Sequence, residues 1–388
     1  MSEPFDIYSP CIDSNPFPGY QNLREHYPCY WSEGAKIWFL SRYDDVAEAA
    51  QNWRVFSSSG GNLIDEIPGR SGGTLGTTDP PRHDRLRALA QAAFLKKNLD
   101  HLVAPTLERA DRALDRILDK QGFDFVADFS SIVTVGTIFE LLGLPARDPV
   151  ETRNKVVLSV STDKVARGRN PTLDAAFAEL NGFIADEVGN RRKTPRDDLV
   201  THLAEAEIDG DKLTEREIVL TTSMFVVAGV ESLSSFMSIL ALNLHDNPGV
   251  RWRLGLENQL MPQAIEESLR LNTSAQRFKR VLVQDHQLHG QTMRAGDSVA
   301  LLYGAANRDW RKFPDPDQFD IDRRPKGHLG FGMGKHFCIG SHFARMVTEV
   351  AMNRFLERVP DYELQQDGFE WVSSSNFRSP MTLPFRIV

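Results

Sequence analysis

The stretch 214–245 constrains the fold more than any other part of the chain. Thr214-Glu215-Arg216-Glu217 has the pattern of a capping box, Pro248 follows the end, and no proline interrupts the run. At about 1.5 Å per residue such a helix exceeds about 40 Å, enough to cross a whole domain. Its middle, Met224-Phe225-Val226-Val227-Ala228, is apolar on nearly every side and so must be buried. Yet Gly229, Glu231, Ser232, Ser234 and Ser235 lie at its centre. A carboxylate there is costly unless it is paired or has a task.

Around this helix the chain reads as mainly α with small β-sheets, an α+β class. Residues 1–75 mix turn residues with short strand-like runs such as Ile37-Trp38-Phe39-Leu40, and about 80–260 is mostly helical. Short strands return at Phe278-Lys279-Arg280-Val281-Leu282-Val283 and Ser298-Val299-Ala300-Leu301-Leu302. No linker, low-complexity stretch or solenoid repeat divides the chain, so residues 1–388 read as one domain.

Cys338 is the most chemically pointed residue. It lies in Phe331-Gly332-Met333-Gly334-Lys335-His336-Phe337-Cys338-Ile339-Gly340, ahead of a helix whose Ile339, Phe343, Met346, Val347 and Val350 share one apolar face. A thiolate at a helix start is favoured by free backbone N–H groups and the helix dipole. Gly332 and Gly334 permit unusual dihedrals where a flat ligand would approach, and Gly340 would let a large ring pass. No second Cys or His stands at zinc spacing, and Lys335 and Phe337 break a dinucleotide-loop register. The setting favours a metal-bound thiolate, haem iron above all; a merely buried Cys before a helix is the plain alternative.

The pattern Phe331-Gly332-x-Gly334-x-His336-x-Cys338-x-Gly340 resembles the haem-binding loop of the cytochrome P450 family, and the resemblance extends over nearly the whole chain. It implies a single helix-rich P450 fold with the long central helix over haem b, and Cys338 as the axial iron ligand. Gly229, Glu231 and Ser232 resemble the family's oxygen-activation segment. Gly229 would leave space for dioxygen, Ser232 would hydrogen-bond near it, and Glu231 would relay protons. The family usually has Thr where this chain has Ser232, which rotates more freely. Glu267 and Arg270, one helical turn apart, resemble the pair that locks the core with an Arg from a later loop, here Arg323. His83 and Arg87, also one turn apart and preceded by Asp79 as a plausible N-cap, resemble the propionate-binding pair. Arg280 and His336 match further propionate positions, His328 more weakly. The lid would be 57–76, with Leu63, Ile64, Ile67 and Leu75 as its apolar contacts. Leu75, Val227, Val230, Ala275, Gln276 and Phe377 would line the substrate pocket beside Val226 and Ser274. Arg70 and Arg277 could bind a substrate carboxylate, though a solvated surface Arg is the simpler expectation.

The implied activity is monooxygenation of a small apolar organic substrate by O2, as hydroxylation or O-dealkylation. The chain shows no flavin or nucleotide motif. Electrons are therefore expected from NAD(P)H through a ferredoxin reductase and an iron–sulfur ferredoxin. Lys335, Arg345, Arg323, Arg324 and Lys326 would form a basic docking patch. A peroxide-driven peroxygenase and a haem sensor without oxidation chemistry are the rival readings. The net charge of −8, from 45 basic and 53 acidic side chains, argues against nucleic-acid binding. No stretch reaches the roughly 18 apolar residues of a bilayer span, and Met1-Ser2-Glu3-Pro4-Phe5-Asp6 lacks a leader pattern. Three cysteines suit a reducing compartment. The expectation is a soluble, cytoplasmic protein, without membrane attachment, of the bacterial type.

Overall fold

The computed structural model describes residues 4–120, 122–208 and 210–388. Met1, Ser2 and Glu3, on which the absence of a leader pattern was partly read, lie outside the described residues. The elements that build the site are, in chain order, β1 (Cys29–Ser32), β2 (Ile37–Leu40), α1 (Tyr43–Gln51), β3 (Phe56–Ser57), α2 (Arg82–Gln91), α3 (Val103–Leu118) and α4 (Ser131–Leu142). They continue with α5 (Pro149–Ser159), α6 (Pro171–Lys193), α7 (Glu215–Asp246), α8 (Met261–Leu271), β4 (Arg277–Leu282), β5 (Ser298–Leu302) and α9 (Ser341–Arg358). Helices dominate, as expected.

The strands form a five-stranded sheet in the order β1-β2-β5-β4-β3. The β2–β5 pair is parallel, with Val299 opposite Trp38, and its other pairs are antiparallel. This sheet carries its own apolar core, including Leu40, Val46, Leu282 and Leu301. A larger core joins α3, α4, α7, α8 and α9 through such residues as Leu114, Ile138, Leu240, Ile265 and Phe355.

Helix α7 begins as the sequence requires. Thr214 Oγ1 accepts from the Glu217 amide, and the Glu217 carboxylate accepts from the Thr214 amide. It is not a uniform helix, because Ala228–Ser232 is a π-turn. Ser274 Oγ donates to the Ser232 carbonyl at 2.9 Å, giving that carbonyl a partner beside the widened turn. Side-chain periodicity does not announce such a turn; a residue outside the helix supports it.

Contrary to the sequence reading, two helical runs are long and apolar enough to cross a membrane by length and composition. They are Phe125–Leu142 and Glu215–Asp246, with mean hydropathy 1.6 and 1.8 in their best windows. Interleaved Ser and Thr break any unbroken apolar run but leave the mean high. Within those windows 72% and 78% is buried inside the protein, so these are core helices of the fold.

Candidate haem-thiolate site

The Cys338 loop forms one wall of a cavity of about 310 Å³. Gly332 and Gly334 adopt φ +69° and +73°, the left-handed region that glycine takes without strain, and a side chain at Gly334 would also strike the Ala50 carbonyl at 2.8 Å. The Cys338 amide donates to the Phe331 carbonyl at 2.9 Å, which closes the loop beneath the thiol. A Cβ at Gly340 would meet nothing nearer than 3.9 Å, so no protein atom crowds the space beside the sulfur. One expectation is corrected here. Helix α9 starts only at Ser341, and burial pushes the Cys338 thiol up, outweighing the Gly340 amide and the charges of Arg87 and Arg345. Burial thus works against the thiolate, and a coordinated cation would favour it, since metal ligation deprotonates a thiol.

The opposite wall is the π-turn of α7. Val227, Ala228, Gly229, Ser232 and Leu233 line the cavity, and Ala228 is exposed to it although it lies mid-helix. Val230 does not line it: the helical turn directs it into the core, where it is fully buried. Gly229 lines the cavity, but its missing side chain faces α4. A Cβ there would lie 2.5 Å from Ile138 Cγ1, so this glycine permits close helix packing. Glu231 is absent from the lining as well. It is buried behind the helix, 3.9 Å from Arg153 Nη2 on α5, and neither carboxylate oxygen has a hydrogen-bond partner. Burial pushes the Glu231 carboxyl up, against the pull of Arg153 and of the nearby Ser379 and Ser235 hydroxyls.

His83, Arg87, Arg280 and His336 all reach the same cavity. The two imidazoles meet edge to face with centroids 4.5 Å apart; neither buried Nε2 has a hydrogen-bond partner, though that of His336 lies 3.8 Å from Asp79 Oδ1. Desolvation lowers the His83 pKa, and His336 falls to about 4 from the same cause, with Arg280 and His83 adding to it against the opposing pull of Asp79. Arg87 donates to the Phe337 carbonyl at 2.9 Å, and Arg280 to the Lys279 carbonyl at 2.8 Å. Asp79 is not a side-chain cap: its carboxylate accepts from Ser57 Oγ and from the Ser58 amide, tying the lid to the start of α2. His328 lies elsewhere, with Nε2 3.0 Å from Glu266.

Behind the loop, Glu267 and Arg270 form a fully buried two-pronged pair at 2.7 and 2.8 Å. Arg323 Nε adds 3.1 Å to Glu267, and Arg270 also donates to the carbonyls of Asn307, Pro316 and Gln318. The expected basic patch is largely paired. Lys335 meets Asp84, Arg345 meets Glu266, and Arg323 is spent on Glu267, which leaves Arg324 and Lys326 exposed without such a partner.

Leu75, Val227, Ala275 and Phe377 line the distal part of the cavity. Gln276 does not: it is buried, and its Nε2 donates to the Thr273 carbonyl. Neither Arg70 nor Arg277 is a solvated surface arginine, at 6% and 0% exposure. Arg277 is outside the cavity lining, and its Nε and Nη1 lack partners. Leu220, Phe94 and Ile138, which the sequence reading did not name, and Met224, named there only as part of the buried helix, also line the cavity. Leu220 and Met224 precede Val227 on one helix face, so periodicity could have found them; Phe94 and Ile138 arrive from other helices. Arg153 gives no sequence signal, because its pairing with Glu231 exists only in the packed structure.

The residues present fit a haem. A lone thiol faces an apolar wall, and two orphaned imidazole nitrogens and two guanidiniums gather in the same cavity, where acidic groups could sit. Among the described residues no cluster of three or more His, Cys, Asp or Glu side chains could hold a metal ion alone, so a macrocycle supplying the other ligands suits Cys338.

Comparison with known proteins leads to the same place. Residues 157–368 match the family model described as Cytochrome P450. Cytochrome P450 123 of Mycobacterium tuberculosis is 32% identical over 387 residues, covering 98% of this chain and 96% of that one. The mycinamicin IV hydroxylase/epoxidase of Micromonospora griseorubida is 34% identical, covering 90% and 89%. Among solved structures, CYP109E1 from Bacillus megaterium in complex with testosterone superposes with a TM-score of 0.87 at 28% identity, covering 96% of this chain and 98% of that one.

Proposed function

The chain belongs to the cytochrome P450 family, and from that premise we propose that it oxidises a small apolar organic molecule by hydroxylation or O-dealkylation, with Cys338 as the haem ligand. It is a haem-thiolate oxidoreductase that uses O2. The haem, when bound, supplies reductive activation of O2 and transfer of one oxygen atom to the substrate. What carries the proposal for these residues is the meeting of Cys338, Ser232 and the orphaned nitrogens of His83 and His336 at one largely apolar cavity.

The roles follow from position. His83, Arg87, Arg280 and His336 hold the acidic edge of the haem. Phe331, Gly332 and Gly340 shape the loop around its thiolate side. The apolar walls exclude water and orient the substrate. Ser232 Oγ passes protons on the distal side. The Glu231 carboxyl, whose pKa burial raises, takes up a proton behind the helix and delivers it through a movement of its side chain or the π-turn. Electrons come from NAD(P)H by way of a ferredoxin reductase and a ferredoxin, docking beside Arg324 and Lys326. We place the protein in the cytoplasm, working as one domain over 1–388.

The test is turnover under 18O2 with a ferredoxin and its reductase. One labelled oxygen in a hydroxylated product, or in the carbonyl fragment that O-dealkylation releases when it is trapped before exchange with water, supports the proposal, and label in neither place overturns it. Because Glu231 does not reach the cavity, a peroxide-driven reaction is the second reading; faster turnover with hydrogen peroxide than with the reductase pair would favour it.

A further inference from the structure

On the lid side the cavity is walled by apolar groups, including Leu63, Ile67, Val160, Phe177, Leu220 and Met224. One ion pair interrupts this wall. Arg70 lines the cavity and is almost completely buried. Its Nε donates to Glu66 Oε1 at 2.7 Å, and its Nη2 donates to Glu66 Oε2 at 2.9 Å and to Asn62 Oδ1 at 2.5 Å. Glu66 Oε2 also accepts from the Leu63 amide at 3.0 Å, so both carboxylate oxygens are engaged.

Two donors remain. Arg70 lines the cavity, and its Nη1 has no hydrogen-bond partner among the described residues. Asn62 also lines the cavity. Its amide oxygen faces Arg70, which leaves its Nδ2 as an N–H donor. The side chains are held in place in advance. The Gly73 amide and Thr77 Oγ1 both donate to the Arg70 carbonyl, at 3.1 and 3.3 Å, and Arg216 of α7 donates to the Gly69 carbonyl at 2.6 Å.

Resting on the monooxygenase reading above, we propose that Arg70 and Asn62 bind a neutral carbonyl oxygen, so that the substrates are apolar molecules carrying a ketone, ester, lactone or amide. The site offers N–H donors and no free acceptor, which calls for an acceptor on the ligand. Its charge is balanced. Glu66 neutralises Arg70, Lys279 and Asp65 nearby are of opposite sign, and the remaining cation, Arg216, is spent on the Gly69 and Ser71 carbonyls. A carboxylate would lose its hydration in an apolar cavity and meet no net positive charge there. A carbonyl loses far less and gains a hydrogen bond from a guanidinium that is already in position.

The experiment is a spectral titration of the haem-loaded protein with 2-dodecanone, n-dodecane and dodecanoate, following displacement of the iron-bound water. The ketone should bind about tenfold more tightly than the alkane, the size of one hydrogen bond from a charged donor, and more tightly than dodecanoate. Replacing the pair together, Arg70→Leu with Glu66→Leu, leaves no charge unpaired and should abolish the ketone's advantage while the alkane still binds. Glu66→Gln frees the charge of Arg70 and should shift the preference toward dodecanoate. The proposal is overturned if wild-type protein prefers dodecanoate or the alkane, if the ketone's advantage survives the double replacement, or if a haem-loaded protein binds none of the three. Protein without thiolate-ligated haem, judged from the reduced carbonyl spectrum, overturns the parent reading and this one with it. Thiolate-ligated haem with the wrong preference overturns this one alone.

Discussion

The two flanks of the cavity carry buried charge in opposite ways. On the Cys338 side, Glu266 accepts from Arg345 at 2.6 and 2.9 Å and lies 3.0 Å from His328, and its pKa falls to about 2 because these partners outweigh burial. Next to it, Glu267 is saturated by Arg270 and Arg323. On the α7 side, Glu231 has an arginine only at 3.9 Å, with the Ser379 and Ser235 hydroxyls as weak neighbours, and burial pushes its pKa up. The Cys338 side pairs both of its carboxylates closely, whereas the α7 side leaves one carboxyl with only a distant arginine, an arrangement most folds avoid.

Breaking the satisfied wall should cost most. Cys338→Ser should bring product formation to background and remove the thiolate signature from the reduced carbonyl spectrum. Glu267→Ala leaves the buried Arg270 unpaired, and urea unfolding should show a loss of about 3–5 kcal/mol. Equal stability of that variant and the wild type would remove the brace from the account.

Changes on the α7 wall should be milder. Gly229→Ala forces a methyl against Ile138 and should cost about 1–3 kcal/mol. Combined with Ile138→Ala, the loss should be less than the sum of the two single losses, since the second change makes room for the first. Ser232→Ala should keep NAD(P)H consumption while product per electron falls on the order of tenfold and released peroxide rises. Unchanged coupling would exclude Ser232 from proton delivery.

The smallest effect, a pH slope, contrasts the walls directly. Glu266 is lowered, so its stabilisation is present above the ordinary carboxyl value and is lost as pH falls toward about 2. Glu231 is raised, so its contribution is present at and below the ordinary carboxyl value and is lost as pH rises through the raised one. Urea midpoints across pH should show Glu266→Gln flattening the acid limb and Glu231→Gln removing the loss on the other side. Slopes of the same sign for both variants would end the contrast.

Local chemistry was legible and direction was not. The capping box at Thr214, the strands 37–40 and 298–302, the Cys338 loop and the Glu267–Arg270 spacing are short-range patterns, and each appears in the fold at its expected place. Val230 and Gln276 were misplaced because a π-turn and a loop set which way a side chain points, and neither leaves a periodic trace. Arg324 and Lys326 could not be told from Lys335 and Arg345 until Asp84 and Glu266 arrived from distant elements.

The sequence by itself determined the reactive ligand and the scaffold that presents it. A cysteine among permissive glycines, a long buried helix and a paired glutamate and arginine are each local patterns, legible within their own stretch of chain. Only the tertiary structure decided that Glu231 faces Arg153 behind the helix, that Gly229 yields to Ile138, and that Arg70 stands neutralised in the wall with donors to spare. Those outcomes depend on which surfaces pack together, and packing is settled by the sum of many distant contacts, none of which is visible in the chain order.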